Sequence, residues 1–253
     1  MRPSLCLILA LLSAAAWAQT PSEIVTEADK IRNPGQPFRA TDTLTEYVSG
    51  EQRGQNVLVV FSKEDPETHQ FRNLIRYVEP PRDNGKAVLL DGKVLWFYDP
   101  GSKASVRISP QQRLLGQAAI GDVLTVNLAV DYRATVIGDE TILDAGRQNR
   151  NCFHLDLKAA NDQSVYSRVE YWVEHDSFRP IKARFYSDSG RSLKILYYRN
   201  FEERLGRVRP TEAVIIDAVN TALVTILQFG DYRFQDIPDS WFYREFLPRL
   251  KSE

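Results

Sequence analysis

Residues 68–109 read THQFRNLIRYVEPPRDNGKAVLLDGKVLWFYDPGSKASVRIS, and their punctuation decides the fold. A strand-like run ends at Pro80-Pro81, Asp83-Asn84-Gly85 supplies a turn, and three short strands follow, separated at Asp91-Gly92 and Asp99-Pro100-Gly101. In the first run Phe71, Asn73, Ile75 and Tyr77 alternate with Arg72, Leu74, Arg76 and Val78, the period of a strand lying between two different faces. Trp96, Phe97 and Tyr98 sit mid-meander. The stretch predicts the wall of an antiparallel sheet.

Working outward, the same grammar recurs. Upstream, residues 21–32 predict a short helix with Ser22 as N-cap and Ile24, Ala28 and Ile31 on one face; Asn33-Pro34-Gly35 ends it. Phe38 to Ser49 is a Thr-rich strand, and Val57 to Phe61 a β-branched run suited to a strand covered on both faces. Downstream, strands are expected over Tyr132–Val136, then a turn and short strand around Gly138–Leu143. Further strands follow over Asn151–Leu157, Val165–Glu174, Arg179–Tyr186, Leu193–Phe201, Val208–Asp217 and Thr221–Phe229. Residues 238–250, with Trp241, Phe242, Phe246 and Leu247, form a terminal amphipathic turn or helix.

Only residues 109–128 break this pattern. Leu114, Leu115, Ala118, Ile120, Val123, Leu124 and Leu128 are spaced irregularly around Gly116 and Gly121, predicting one or two short helices with Asp122 as N-cap of the second and no regular strand. Short strands without βαβ alternation imply one antiparallel sheet, and strand twist makes so large a sheet curl. The fold class expected is mainly β: a single curved, unclosed antiparallel barrel whose short helices form a lid or plug.

The N-terminus has the marks of an export signal: Arg2, an apolar run from Leu5 to Leu12, and the small-x-small pattern Ala16-Trp17-Ala18. The run is shorter than the ~20 residues of a membrane span. Cleavage after Ala18 leaves residues 19–253 as one β domain, exported to the periplasm. Cys6 leaves with the signal, so Cys152 has no partner within the chain and stability must come from packing. The whole chain carries a formal charge of −1 with both signs interspersed, which argues against nucleic acid as a partner.

Little points to catalysis. His69, His154 and His175 lie on separate strands or their ends, without metal-ligand spacing or a completing cluster. Ser187-Asp188-Ser189-Gly190 lacks the glycine of a nucleophile elbow and reads as a hairpin turn. Gly85, Gly92 and Gly101 are too far apart for a phosphate loop. Cys152 reads as a buried structural thiol, and Arg72, Arg76, Arg168 and Glu170 as solvent-facing strand charges. The expectation is a protein that is not an enzyme, with no catalytic residues, no cofactor and no metal. The apolar segment before Leu128 reads either as a core plug or as a lid over a cavity for an apolar ligand. The lining expected is Val94, Trp96 and Tyr98, with Leu115, Ile120, Leu124 and Trp172; the opposite face of the same strand, Leu95 and Phe97, is the alternative.

Several short runs carry a family resemblance: Pro80-Pro81, Gly85-Lys86-Ala87-Val88-Leu89, Trp96-Phe97-Tyr98-Asp99-Pro100, Arg107-Ile108-Ser109 and Gly121-Asp122-Val123-Leu124. Asn151-Cys152-Phe153-His154-Leu155, Tyr171-Trp172-Val173 and Arg179-Pro180-Ile181-Lys182 complete the set. Together they resemble the outer-membrane lipoprotein-sorting proteins of the LolA and LolB type, over most of the chain after the signal. The resemblance implies an unclosed barrel with a helical lid at Leu114–Leu128. It also implies a periplasmic carrier that binds lipid or the acyl chains of lipid-modified proteins and transfers them between inner and outer membrane. The partners it implies are that cargo, an inner-membrane transporter, and the membrane in transient contact only. The alternative function is an accessory protein of an inner-membrane exporter, without lipid cargo and with an exposed apolar patch near Trp241, Phe242 and Phe246.

Overall fold

A computed structural model describes residues 19–91, 94–161 and 164–250. The expected signal peptide lies outside the described residues, as does Gly92 of the Asp91-Gly92 turn. The described chain opens with α1, Pro21–Arg32. Its N-cap is Thr20, not Ser22: Pro21 takes the first helical position, so the cap precedes it. Glu23 N donates to Thr20 Oγ1 at 3.3 Å and Thr20 N donates to Glu23 Oε2 at 2.8 Å, a reciprocal capping box. Ile24, Val25 and Ala28 bury the inner face of the helix.

Six strands follow: β1 (Phe38–Val48), β2 (Glu51–Glu64), β3 (Phe71–Glu79), β4 (Ala87–Asp91), β5 (Val94–Asp99) and β6 (Ala104–Ile108). After residue 108 come a two-strand hairpin, β7 (Arg113–Leu115) and β8 (Ala118–Ala119), and two single-turn helices, α2 (Ile120–Val123) and α3 (Leu128–Asp131). The second half is β9 (Tyr132–Leu143), β10 (Asn149–Ala159), β11 (Arg168–Glu174), β12 (Pro180–Tyr186), β13 (Ser192–Arg204), β14 (Arg207–Asp217) and β15 (Leu223–Phe234). The hairpin within 109–128 was not expected. Nor does Gly138 make a turn: β9 runs through it, and the register against β10 slips between His154 and Leu155 instead.

The main sheet has 13 strands in the order β6-β5-β4-β3-β2-β1-β15-β14-β13-β12-β11-β10-β9, antiparallel at the central β1–β15 pair. Two meanders thus join through their first and last strands, which leaves β6 and β9 as the edges. Those are the strands flanking residues 109–131. The chain must therefore cross from one edge of the curled sheet to the other, and it crosses over the concave side. There Ile120, Val123, Leu124 and Leu128 pack with α1 and with Leu44, Leu58, Ile75, Leu155, Leu157 and Val169 from both meanders.

The convex side of β2–β5 is also covered. Residues 239–242 and 244–249 form two 3₁₀ turns that lay Ile237, Phe242 and Leu247 over Val59, Phe61, Leu74, Leu89 and Tyr98. Trp241 meets Phe61 edge-on at 5.3 Å between centroids. The two-sided burial explains the β-branched run in β2. Of the patch expected around Trp241, Phe242 and Phe246, Phe242 is 1% exposed against the sheet, while Trp241 and Phe246 stay half-buried and stack on each other at 5.5 Å. No described helix is long and apolar enough to cross a membrane.

Candidate functional site

The bridging segment is held at its first end by a buried polar knot. At Gly116, φ is +53° and a Cβ would lie 2.4 Å from Thr225 Oγ1, so glycine alone lets the hairpin seat against β15. Gln117 N then donates to Thr225 Oγ1 at 2.7 Å. Asp122 sits inside α2 at its third position, not at its N-cap. Its carboxylate accepts from Ala119 N and Tyr166 Oη, each at 2.7 Å, and from Lys194 Nζ of β13. The Lys194 and Asp122 side chains are 7% and 2% exposed.

The other end is latched to α1 and β3. Asn73 exchanges two 3.0 Å hydrogen bonds with the backbone of Thr125, donating from Nδ2 and accepting at Oδ1. The Val126 carbonyl accepts from Arg32 Nη2 at 3.1 Å and Asn33 Nδ2 at 2.8 Å. Asn127 Nδ2 donates to the His69 carbonyl at 3.0 Å, and Ala129 N to Asp29 Oδ2 at 2.9 Å. Between these polar ends the segment buries Ala118, Ala119, Ile120, Val123, Leu124 and Leu128 and few polar side chains. It has the build of a lid: apolar in the middle and hydrogen-bonded at the margins.

Empty space lies on both sides of it. One chamber of about 60 Å³ lies between the lid and β11–β13, lined by Leu128, Val169, Phe185 and Tyr198 among others. A second, of about 90 Å³, lies toward β1 and β15, lined by Phe38, Ala40, Asp42, Phe229 and Tyr232. Arg32, Asp122, Leu124, Leu196 and Tyr198 line both, so these residues form the partition between them. A cleft of about 430 Å³ opens at the seam between the sheet edges and shares Leu124, Val126, Asp131 and Val165 with the first chamber. Each inner chamber has room for a few waters. Movement of Leu124 and its neighbours would join all three.

The walls are mainly apolar, but not wholly. Burial pushes Asp42 up to about 7 and raises Asp29 despite its Arg32 partner. Burial likewise raises the phenols of Tyr166, Tyr171 and Tyr198. The Tyr171 hydroxyl and Arg32 Nε are buried without hydrogen-bond partners among the described residues.

The expected lining divides in two. Leu115, Ile120 and Leu124 belong to the central cluster. Trp96 and Tyr98 do not line the interior: they lie on the convex side beneath the C-terminal turns, Val94 falls on their side by alternation, and Leu95 and Phe97 are the residues that point inward. Trp172 is also on the convex side. It stacks on His154 at 4.3 Å, donates from Nε1 to Glu140 Oε2 at 2.8 Å and lies under Lys182. Sequence reading missed Asp42, Arg32, Tyr166 and Tyr198. For Asp42 the signal was available, since Phe38, Ala40 and Leu44 alternate with it on one face of β1.

The histidines stay apart, each facing one carboxylate: His69 with Glu64, His154 with Glu140 and His175 with Asp139. Among the described residues no group of three metal-ligating side chains converges. Arg72 pairs with Asp65, and Arg168 with Asp156 and Glu170. Cys152 is buried, and burial pushes its thiol up to about 12.

With this geometry in hand, comparison with known proteins identifies relatives. A family described as an uncharacterized protein matches residues 69–249. No curated protein matches the chain. Among solved structures, a putative outer membrane lipoprotein-sorting protein domain from Vibrio parahaemolyticus shares the fold at 22% identity and a TM-score of 0.75, over 90% of this chain and 98% of that one. A protein from Desulfovibrio piger does so at 18% identity and a TM-score of 0.75, over 90% and 100%. A LolA superfamily protein from Nitrosomonas europaea is 31% identical, with a TM-score of 0.81, over 90% of this chain and 100% of its own. The unclosed sheet, the lid across its seam and this shared sequence place the chain in the LolA superfamily.

Proposed function

We propose that the protein is a periplasmic carrier that takes up an acyl chain, of a lipid or of a lipid-modified protein, in the space now filled by its lid. One observation carries this reading: the apolar segment 114–128 bridges the two unpaired sheet edges, with a chamber on each side and polar latches at each end. Fully burying Ile120, Val123, Leu124 and Leu128 is worth roughly 6–12 kcal/mol, and burying a sixteen-carbon chain about 12 kcal/mol. The two burials are of the same order, so the lid offsets much of the gain from cargo, which suits a protein that must both load and release. In this reading the hydrogen bonds of Asn73, Arg32 and Asn33 hold the empty state closed, and the interior does no chemistry on the cargo.

The resemblance to lipoprotein-sorting structures supports the reading, and so does the expected export signal. The test is extraction of the purified protein and native mass spectrometry. A carrier yields bound acyl lipids, or takes up a lipidated peptide when offered one. Protein that is free of lipid and ignores both lipid and lipidated peptide would sink the proposal.

A further inference from the structure

The second chamber contains a carboxylate that makes no hydrogen bond or ion pair among the described residues. Asp42 is 4% exposed and lines that chamber from β1. Among the described residues the other four buried charged residues are satisfied. Asp29 pairs with Arg32 and Ala129 N, Lys194 with Asp122, and Glu212 with Arg199, while Arg209 donates to the carbonyls of Lys30, Ile31 and Arg204. For the Asp42 carboxylate no hydrogen bond or ion pair forms among the described residues, and burial raises it; the buried Tyr232 phenol on the same chamber wall feels its charge without hydrogen-bonding to it. Arg209 is taken up by its three carbonyls, and Arg32 is paired through Nη2 with Asp29 and the Val126 carbonyl, while its partnerless Nε makes no bond to Asp42.

A buried acid without a partner is costly, and an apolar side chain of similar size would pack the site better. An interior that serves only as packing gives no reason for one. An interior that receives an amphiphile does, because the polar end of the ligand must also leave water. We infer that Asp42 receives the hydrogen-bond donor, a hydroxyl or an amine, at the polar end of an acyl-chain ligand. Phe38, Ala40 and Phe229 beside it would enclose the first methylenes, and the Leu124–Tyr198 partition would part to let the rest of the chain through. This rests on the carrier reading and adds to it a ligand class: lipids with a donor-bearing headgroup.

The experiment compares binding of monopalmitoylglycerol, hexadecylamine and methyl palmitate, by displacement of a fluorescent fatty-acyl probe, to the wild type, Asp42→Leu and Asp42→Asn. The wild type should bind the first two at least about tenfold tighter than the ester, which has no donor. Asp42→Leu should level the three while keeping the ester's affinity, and Asp42→Asn should keep the preference for the hydroxyl and lose that for the amine. A preference for one donor alone would support the inference and narrow the class. A wild type that binds all three alike, or an Asp42→Leu variant that still discriminates, overturns the inference and leaves the carrier reading standing. Failure of the wild type to bind any of them overturns both.

Discussion

The side-chain amide of Asn73 pairs with the backbone of Thr125 as a neighbouring strand would, through two hydrogen bonds of 3.0 Å. Asn73 is fully buried on β3, so this pair couples the rigid wall to the lid. Asn73→Ala would leave an N–H and a carbonyl of the lid without partners, at about 1–3 kcal/mol. The expected result is faster uptake of a fluorescent acyl probe and earlier amide exchange at Thr125. Unchanged exchange at Thr125 would show that the latch does not control opening.

At the other margin, Lys194→Met would strand the Asp122 carboxylate in the interior. Breaking a buried pair from one side costs about 3–5 kcal/mol, whereas replacing both partners by apolar groups can be near neutral. Urea unfolding should therefore show a large loss for Lys194→Met and partial recovery in Lys194→Met/Asp122→Leu. Recovery stays incomplete because Tyr166 Oη and Ala119 N also lose their acceptor. Equal losses in the single and double variants would contradict this account.

Asp42 makes stability depend on pH. Burial raises its folded-state pKa from 3.8 to about 7, so between those values the folded protein binds a proton that the unfolded chain has released. Stability contributed by this group is present at acid pH, is lost as pH rises toward 7, and is flat beyond; the loss is at most on the order of 4 kcal/mol. Burial shifts Asp29 and Asp131 in the same direction, so the slope belongs to Asp42 only in comparison with Asp42→Asn. That variant should gain on the wild type at about pH 8 and converge with it near pH 4. Parallel pH profiles would assign the slope elsewhere.

How much of this was legible in the sequence depends on the kind of signal. Period-two alternation and turn residues are local, so the strands of the meander around Trp96-Phe97-Tyr98 could be read directly, and the break at 109–128 marked the lid. Which face of a strand points inward is not local here. Residues 239–249 cover the convex side of β2–β5, giving β5 apolar residues on both faces, and alternation cannot rank them. Trp172 misled for a related reason: a large aromatic on an outer face is sustained by His154, Glu140 and Lys182, which come from three other strands. The Thr20 cap was hidden by the more obvious Ser22. The Asp122–Lys194 pair spans 72 residues, and no spacing rule reaches that far.

The C-terminal turns carry a stability prediction of their own. Phe242 is 1% exposed against the outer face of the sheet, so Phe242→Ala should cost about 3–5 kcal/mol in urea unfolding. Because this cluster is separate from the lid's, probe affinity in the folded variant should not change. A changed affinity would show that the two faces of the sheet are coupled.

The lid can also be wedged from within. A Cβ on Gly121 would lie 2.3 Å from Val165 Cγ1 and 3.1 Å from the Pro110 carbonyl, contacts that no rotamer of alanine relieves. The Val165 backbone is held by Gln111 Nε2, which donates to its carbonyl at 2.6 Å, so relief requires the Val165 side chain or α2 to move. Gly121→Ala should therefore shift α2, cost about 1–3 kcal/mol and speed probe uptake. Trimming the obstacle in Gly121→Ala/Val165→Ala should restore slow uptake, while the smaller side chain leaves some of the stability loss in place. If the single variant takes up probe at the wild-type rate despite the lost stability, cargo does not enter past α2.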